Sequence, residues 1–204
     1  MRLLFAMFWL LLGGAEALWA QSDFATELAA HRQEKNKEFK RSSESPLARA
    51  DKRAFQGLFY FPGDSSYRVV ARLERTPDAQ PFQMRTSTDR LPTYVEWGKA
   101  HFTLRDTALV LTIYFSPDIA QRPGYEKYLF LPFTDQTSGG ETYGGGRYLD
   151  LSMPADESSA LVLDFNRAYN PYCAYSDRYS CPIPPAVNRL PIRIEAGEKT
   201  FREH

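Results

Sequence analysis

The sequence predicts a mainly β protein: an antiparallel, strongly curved sheet, barrel-like or a sandwich, with an N-terminal helix packed outside. Three observations predict it. Apolar residues alternate with polar ones in several segments after residue 57, the period of a strand with one buried face. The stretches between most of these segments are too short for the crossovers that parallel pairing requires. Residues 22–43, by contrast, are mostly helix formers with sparse apolar positions at Phe24, Leu28 and Phe39.

The elements follow in order. Ser22 or Asp23 offers a cap for the helix, the charged block 31–41 its solvated side, and Ser45-Pro46-Leu47 its end. A short helix is expected over 48–55. Tyr67, Val69, Ala71 and Leu73 alternate with Arg68, Val70, Arg72 and Glu74, a half-buried strand. Phe82, Met84 and Thr86 alternate likewise, as do Ala100, Phe102 and Leu104. The Arg105-Asp106-Thr107 turn then leads into Leu109, Leu111, Ile113 and Phe115, which predicts a hairpin. Further strands are expected at 58–61, 128–133, 147–151, 161–166 and 191–196, about nine in all. A sheet of that size curls or splits.

The first twenty residues read as a secretory signal peptide: Arg2, an apolar run from Leu3 to Leu12, then the small residues Ala15, Ala17 and Ala20. Glu16 interrupts the run short of the roughly 20 apolar residues that a spanning helix needs. Cleavage is expected after Ala20, with Ala17 as the alternative, which makes the protein periplasmic or secreted with no transmembrane segment left. The division is therefore 1–20 leader, 21–56 helical segment and 57–204 β-rich domain, the last two forming one globular unit. The 25 basic and 25 acidic residues balance. A neutral domain lacks the field that concentrates nucleic acid, so no nucleic-acid partner is expected.

Cys173 and Cys181 lie close together in a Pro-rich loop, and in an oxidising compartment a disulfide is the expected outcome. The chain-entropy model gives such a short closure about 2.5 kcal/mol. A metal site would need more ligands, and His31, His101 and His204 stand at no recognisable ligand spacing, so no metal is expected. Gly139, Gly140, Gly144, Gly145 and Gly146 are not followed by Lys-Ser/Thr entering a helix, so they read as turn glycines, not a phosphate loop. G-x-S-x-G is absent, and His101 lies on a polar strand face with no evident partner. No cofactor is indicated, and nothing in the pattern speaks to oligomeric state.

The chemistry-bearing stretch is residues 130–190. It carries Phe133-Thr134-Asp135-Gln136-Thr137-Ser138-Gly139 and Glu141-Thr142-Tyr143-Gly144-Gly145-Gly146-Arg147-Tyr148-Leu149. Asp164-Phe165-Asn166-Arg167-Ala168-Tyr169-Asn170-Pro171-Tyr172-Cys173-Ala174-Tyr175 and Cys181-Pro182-Ile183-Pro184-Pro185 follow, with Asn188-Arg189-Leu190. These motifs closely resemble those of the bacterial and archaeal family known as domain of unknown function 1684. A weaker likeness reaches Ser45-Pro46-Leu47 and Phe55-Gln56-Gly57-Leu58. The resemblance implies membership and brings no activity, substrate, cofactor or catalytic residue with it.

Read from the residues alone, Val162, Asp164 and Asn166 share one face of a strand whose other face is Leu161, Leu163 and Phe165. A carboxylate and an amide inside a hydrophobic run need partners. Arg147 and the tyrosines Tyr143, Tyr148 and Tyr169 can supply them, as a structural clamp or as a receptor for a small polar or sugar-like ligand. The candidate binding residues are Arg147, Asp164, Asn166, Tyr143 and Tyr175, joined by Asn170 and Glu141. The stapled loop 170–188, with its interleaved Tyr and Pro, would cover an open sheet end or wall a pocket. The rival reading is an extracytoplasmic hydrolase using Asp164 or Glu141 as its acid–base group.

Overall fold

The computed structural model describes residues 5–156 and 160–201, with side chains from residue 23 onward. Helix α1, Phe5–Arg41, is followed by the short α2, Arg49–Ala54. The strands are β1 (Arg68–Arg75), β2 (Phe82–Gln83), β3 (Thr93–Leu104), β4 (Thr107–Phe115), β5 (Tyr128–Phe133), β6 (Arg147–Ser152) and β7 (Leu161–Asp164); a one-turn helix α3, Pro117–Ala120, sits between β4 and β5. The sheet order is β6-β5-β4-β3-β1-β7, with β2 added to β3, and every pairing is antiparallel. The sheet curls into a nearly closed barrel, as the alternation predicts.

Alternation builds the two faces. Leu109, Leu111 and Ile113 of β4, Leu129, Leu131 and Phe133 of β5 and Leu149 of β6 point into the main core with Phe102 and Leu163. Their neighbours Tyr94, Tyr114, Phe130 and Tyr148 point the other way, into a second apolar cluster with Met84 on the outer face. The β3–β4 hairpin turns on Arg105 and Asp106, both at positive φ (47° and 61°), the mirror-image turn that matches strand twist.

Three expectations change. Helix α1 continues unbroken through Ser22 and Asp23, so neither caps it. The segments 58–61 and 191–196 are not strands: the first makes a single bridge, Tyr60 to Glu198, and the second directs carbonyls to a buried arginine instead of to a neighbouring strand. His101 does have a partner, because the β1–β3 register puts its Nε2 2.8 Å from Glu74 Oε2. Residues 1–4 of the expected leader lie outside the described residues.

Helix α1 docks through Phe24, Leu28 and Phe39, all buried. Leu28 packs so closely on Gly63 that a Cβ there would sit 2.8 Å from Leu28 Cδ2. Phe39 meets Tyr175 edge to face at 4.9 Å. The Lys40 ammonium donates to the carbonyls of Lys52, Arg53 and Phe55 at 2.9–3.0 Å, closing the C-terminal end of α2, where a cation is favoured.

Candidate functional site

Arg147 is fully buried, and its carboxylate partner is Asp135, not Asp164. Arg147 Nη2 donates to Asp135 Oδ2 at 2.8 Å and to the Ile194 carbonyl at 2.8 Å, while Nη1 donates to the carbonyls of Ala196 and Glu198. The other oxygen of Asp135 accepts from Thr137 N (2.7 Å) and Thr137 Oγ1 (2.6 Å). Strand pairing and facing explain the choice. Arg147 pairs with Phe133 across β5–β6, so Asp135 is two residues from its cross-strand neighbour, whereas Asp164 is on the face of β7 opposite to Leu161 and Leu163, which fill the core. Burial lowers the guanidinium pKa and Asp135 opposes that fall. Sealed from solvent, with only Nε of the guanidinium unpartnered, the pair has the geometry of a clamp. Gly146 belongs to it: at φ +87°, a Cβ would lie 2.6 Å from the Phe133 carbonyl oxygen.

The other expected residues fall into separate places. Asp164 ends β7 and caps the next turn, accepting from Asn166 N (3.0 Å) and Nδ2 (2.9 Å). Asn166 leaves the strand and, fully buried, exchanges hydrogen bonds with the backbone of Asp64 at 2.8 and 3.0 Å. Glu141 is exposed and paired with Arg193. Asn170 and Tyr175 do converge, on a carboxylate that sequence reasoning missed: Glu198 Oε2 accepts from Asn170 N (2.8 Å) and Tyr175 Oη (2.6 Å). Tyr143 lies with the cysteines, its hydroxyl 3.6 Å from Cys173 Sγ. The Cys173 N–H donates to Cys181 Sγ at 3.1 Å, so the two residues touch, although their sulfurs are not bonded to each other. Hydrogen bonding from Cys181 above all brings the Cys173 thiol down to about 7, and the same contact raises Cys181. Among the described residues no group of His, Cys, Asp and Glu is placed to hold a metal.

The open chemistry is on the outer face of β5 and β6, in a cavity of about 600 Å³. Its walls hold Tyr94, Tyr125, Tyr128, Tyr148, Tyr169, Tyr172 and Tyr179, seven of the chain's 12 tyrosines. Strand alternation places Phe130 and Tyr128 of β5 and Tyr148 and Asp150 of β6 here, because their odd-numbered neighbours fill the core. The cysteine loop forms one side with Tyr172, Tyr179, Ser180, Cys181 and Pro182, and α1 another with Lys35, Glu38 and Phe39. Tyr148 is fixed by donating to the Pro182 carbonyl. Phe130 and Tyr148 meet edge to face at 4.7 Å, and Tyr148 and Tyr169 at 5.8 Å.

Asp150 is one of the acids that line this cavity. Its Oδ1 accepts hydrogen bonds from Tyr128 Oη at 2.8 Å and Tyr169 Oη at 2.6 Å. Both phenol pKa values are raised, first by burial and then by the Asp150 charge, so both hydroxyls remain donors. The Lys35 ammonium stands 3.9 Å over the Tyr169 ring and 3.5 Å from Glu198 Oε1, linking the cavity to the Glu198 network behind it. Tyr94, which also lines the cavity, is pushed up to about 12 by burial. The cue in the sequence was the alternation of Tyr148 and Asp150 with Arg147 and Leu149, a polar outer face carrying an acid.

Fold and site define a barrel-like antiparallel β domain with an aromatic cavity on its outer face. Residues 53–199 match the family described as protein of unknown function DUF1684, and the chain belongs to that family. The chain is also similar to a solved structure, the solution NMR structure of the uncharacterized protein from gene locus rrnAC0354 of Haloarcula marismortui. The two are 36% identical, with 91% of this chain and 98% of that one covered and a TM-score of 0.69. No curated protein matches.

Proposed function

We propose that this is an exported small-molecule-binding domain whose ligand sits in the tyrosine-walled cavity. The observation that carries the reading is Asp150, a carboxylate held by two tyrosine hydroxyls among the residues that line an open, tyrosine-walled cavity. Binding sites combine such aromatic walls with a few fixed polar groups, in pockets of roughly 300–1,000 Å³. Asp164 and Glu141, the carboxylates a hydrolase reading would use, are both engaged elsewhere and neither lines the cavity.

Export rests on the leader-like pattern of residues 1–20. The described docking side chains of α1, Phe24, Leu28 and Phe39, all follow Ala20, so cleavage there leaves the helix anchored. In an oxidising compartment Cys173 and Cys181 would close into a disulfide and stiffen the cavity wall. N-terminal sequencing of secreted material should begin at Gln21, and non-reducing peptide mapping should join the two cysteines. A mature protein that keeps Met1 would sink the export reading.

Native mass spectrometry of protein purified from its own cells tests the binding reading. A retained small molecule, displaced when Ile119→Trp crowds the cavity that Ile119 lines, is the expected result. Bare protein that also shows no thermal shift across a metabolite library would sink it.

A further inference from the structure

We infer that the cavity ligand is a neutral, hydroxyl-bearing ring, a saccharide unit, and that Asp150 is its anchoring acceptor. The inference rests on the proposal above that the cavity binds a small molecule. Charge decides the class. Lys35, Arg90 and Arg122 line the cavity together with Glu38, Asp118 and Asp150, three cations against three anions. A cationic ligand, the usual guest of an aromatic cage, would face an ammonium that already occupies the Tyr169 ring at 3.9 Å. An anionic ligand would face Asp150, Glu38 and Asp118, which line the same cavity. A neutral guest meets no such repulsion.

Hydrogen bonding decides the rest. Both tyrosine bonds to Asp150 fall on Oδ1, which leaves Oδ2 as an acceptor with no donor among the described residues. An ionised carboxylate only accepts, so the ligand must present O–H or N–H groups. A ligand hydroxyl here would make a charge-assisted hydrogen bond, stronger than a neutral one. Lys35 and Arg122 offer donors to further ligand oxygens, while Tyr94, Tyr148 and Tyr172 offer apolar ring surface rimmed by hydroxyls. A sugar ring has that same division, an apolar C–H face bordered by hydroxyls. A purely apolar guest would leave Asp150 Oδ2 and the basic groups desolvated without partners.

The test is calorimetric titration of the purified mature protein with glucose, galactose, mannose, N-acetylglucosamine, maltose and cellobiose, with choline and inorganic phosphate as charged probes. At least one saccharide is expected to give a saturable isotherm, with no heat from choline or phosphate. Asp150→Asn should weaken that binding at least about tenfold, and Tyr169→Phe, which removes one hydrogen bond and keeps the ring, by less. Far-UV circular dichroism confirms that both variants fold. Choline or phosphate binding that depends on Asp150, with the saccharides silent, would overturn the class while the cavity remains a binding site. Saccharide binding indifferent to Asp150→Asn would overturn the anchor. Silence of every saccharide while native mass spectrometry shows a cavity-bound molecule overturns the saccharide class alone; silence in both experiments removes the binding reading as well.

Discussion

Arg147 and Asp150 stand three residues apart on β6 and face opposite sides of the same sheet. Arg147 points inward, where Asp135 and three backbone carbonyls surround its guanidinium and seal it from water. Asp150 points outward, where two phenols hold one of its oxygens and the rest of the group faces a cavity. A buried charge needs the protein to supply its hydrogen bonds. The Arg147 guanidinium has them at both Nη atoms, with only Nε unpartnered, and such a sealed group has no surface left to offer a ligand. An open charge, fixed but incompletely satisfied, does. The contrast separates the polar residues that build this barrel from those available for binding.

The contrast is most sharply broken by Asp135→Ala, which strands Arg147 in the core. A loss of about 3–5 kcal/mol is expected, measured by urea denaturation, and a loss under 1 kcal/mol would mean that water reaches the guanidinium. Asn188→Ala comes next. Asn188 is fully buried and bridges Thr112 N, Thr112 O and the Pro132 carbonyl at 2.7–2.8 Å, tying β4 to β5 where only Tyr114 and Phe130 pair in register. Removing it leaves backbone groups unsatisfied and should cost about 2–3 kcal/mol in the same assay.

A smaller effect comes from pH. His31 is held below its ordinary 6.5 by burial, then by Arg167 and Lys35. The folded state therefore disfavours the charged imidazole, and the unfolded chain binds more protons. This contribution is present above pH 6.5 and lost as pH falls through the folded-state value. The urea midpoint should drop between pH 7.5 and 5, with a smaller drop in His31→Gln; identical slopes would remove His31 as the cause. The smallest effect on stability belongs to Asp150→Asn, under about 1 kcal/mol because the group is exposed. A destabilisation matching that of Asp135→Ala would erase the distinction between the two faces.

Much of the barrel was legible beforehand because strand alternation is a local property. Tyr67 to Leu73, Ala100 to Leu104 and Leu109 to Phe115 bury the faces their pattern assigns. The cysteine loop was readable only as a cover for an open sheet end or a pocket wall; its Tyr172, Tyr179, Ser180, Cys181 and Pro182 line the outer-face cavity. The candidate residues were legible as polar groups needing partners, but the partners were not. Asn170 and Tyr175 find Glu198, which no motif marked, and Asn166 turns off its strand toward Asp64.

From the chain alone come the antiparallel β class, the β3–β4 hairpin and the motifs that resemble the family, since each depends on neighbours a few residues apart. Which acid meets Arg147, and that Tyr128, Asp150 and Tyr169 close on one another, depends on strand pairing and facing, which bring β5, β6 and the segment after β7 to one place. Electrostatic partners are chosen by distance in space, and that distance is set only when the sheet curls.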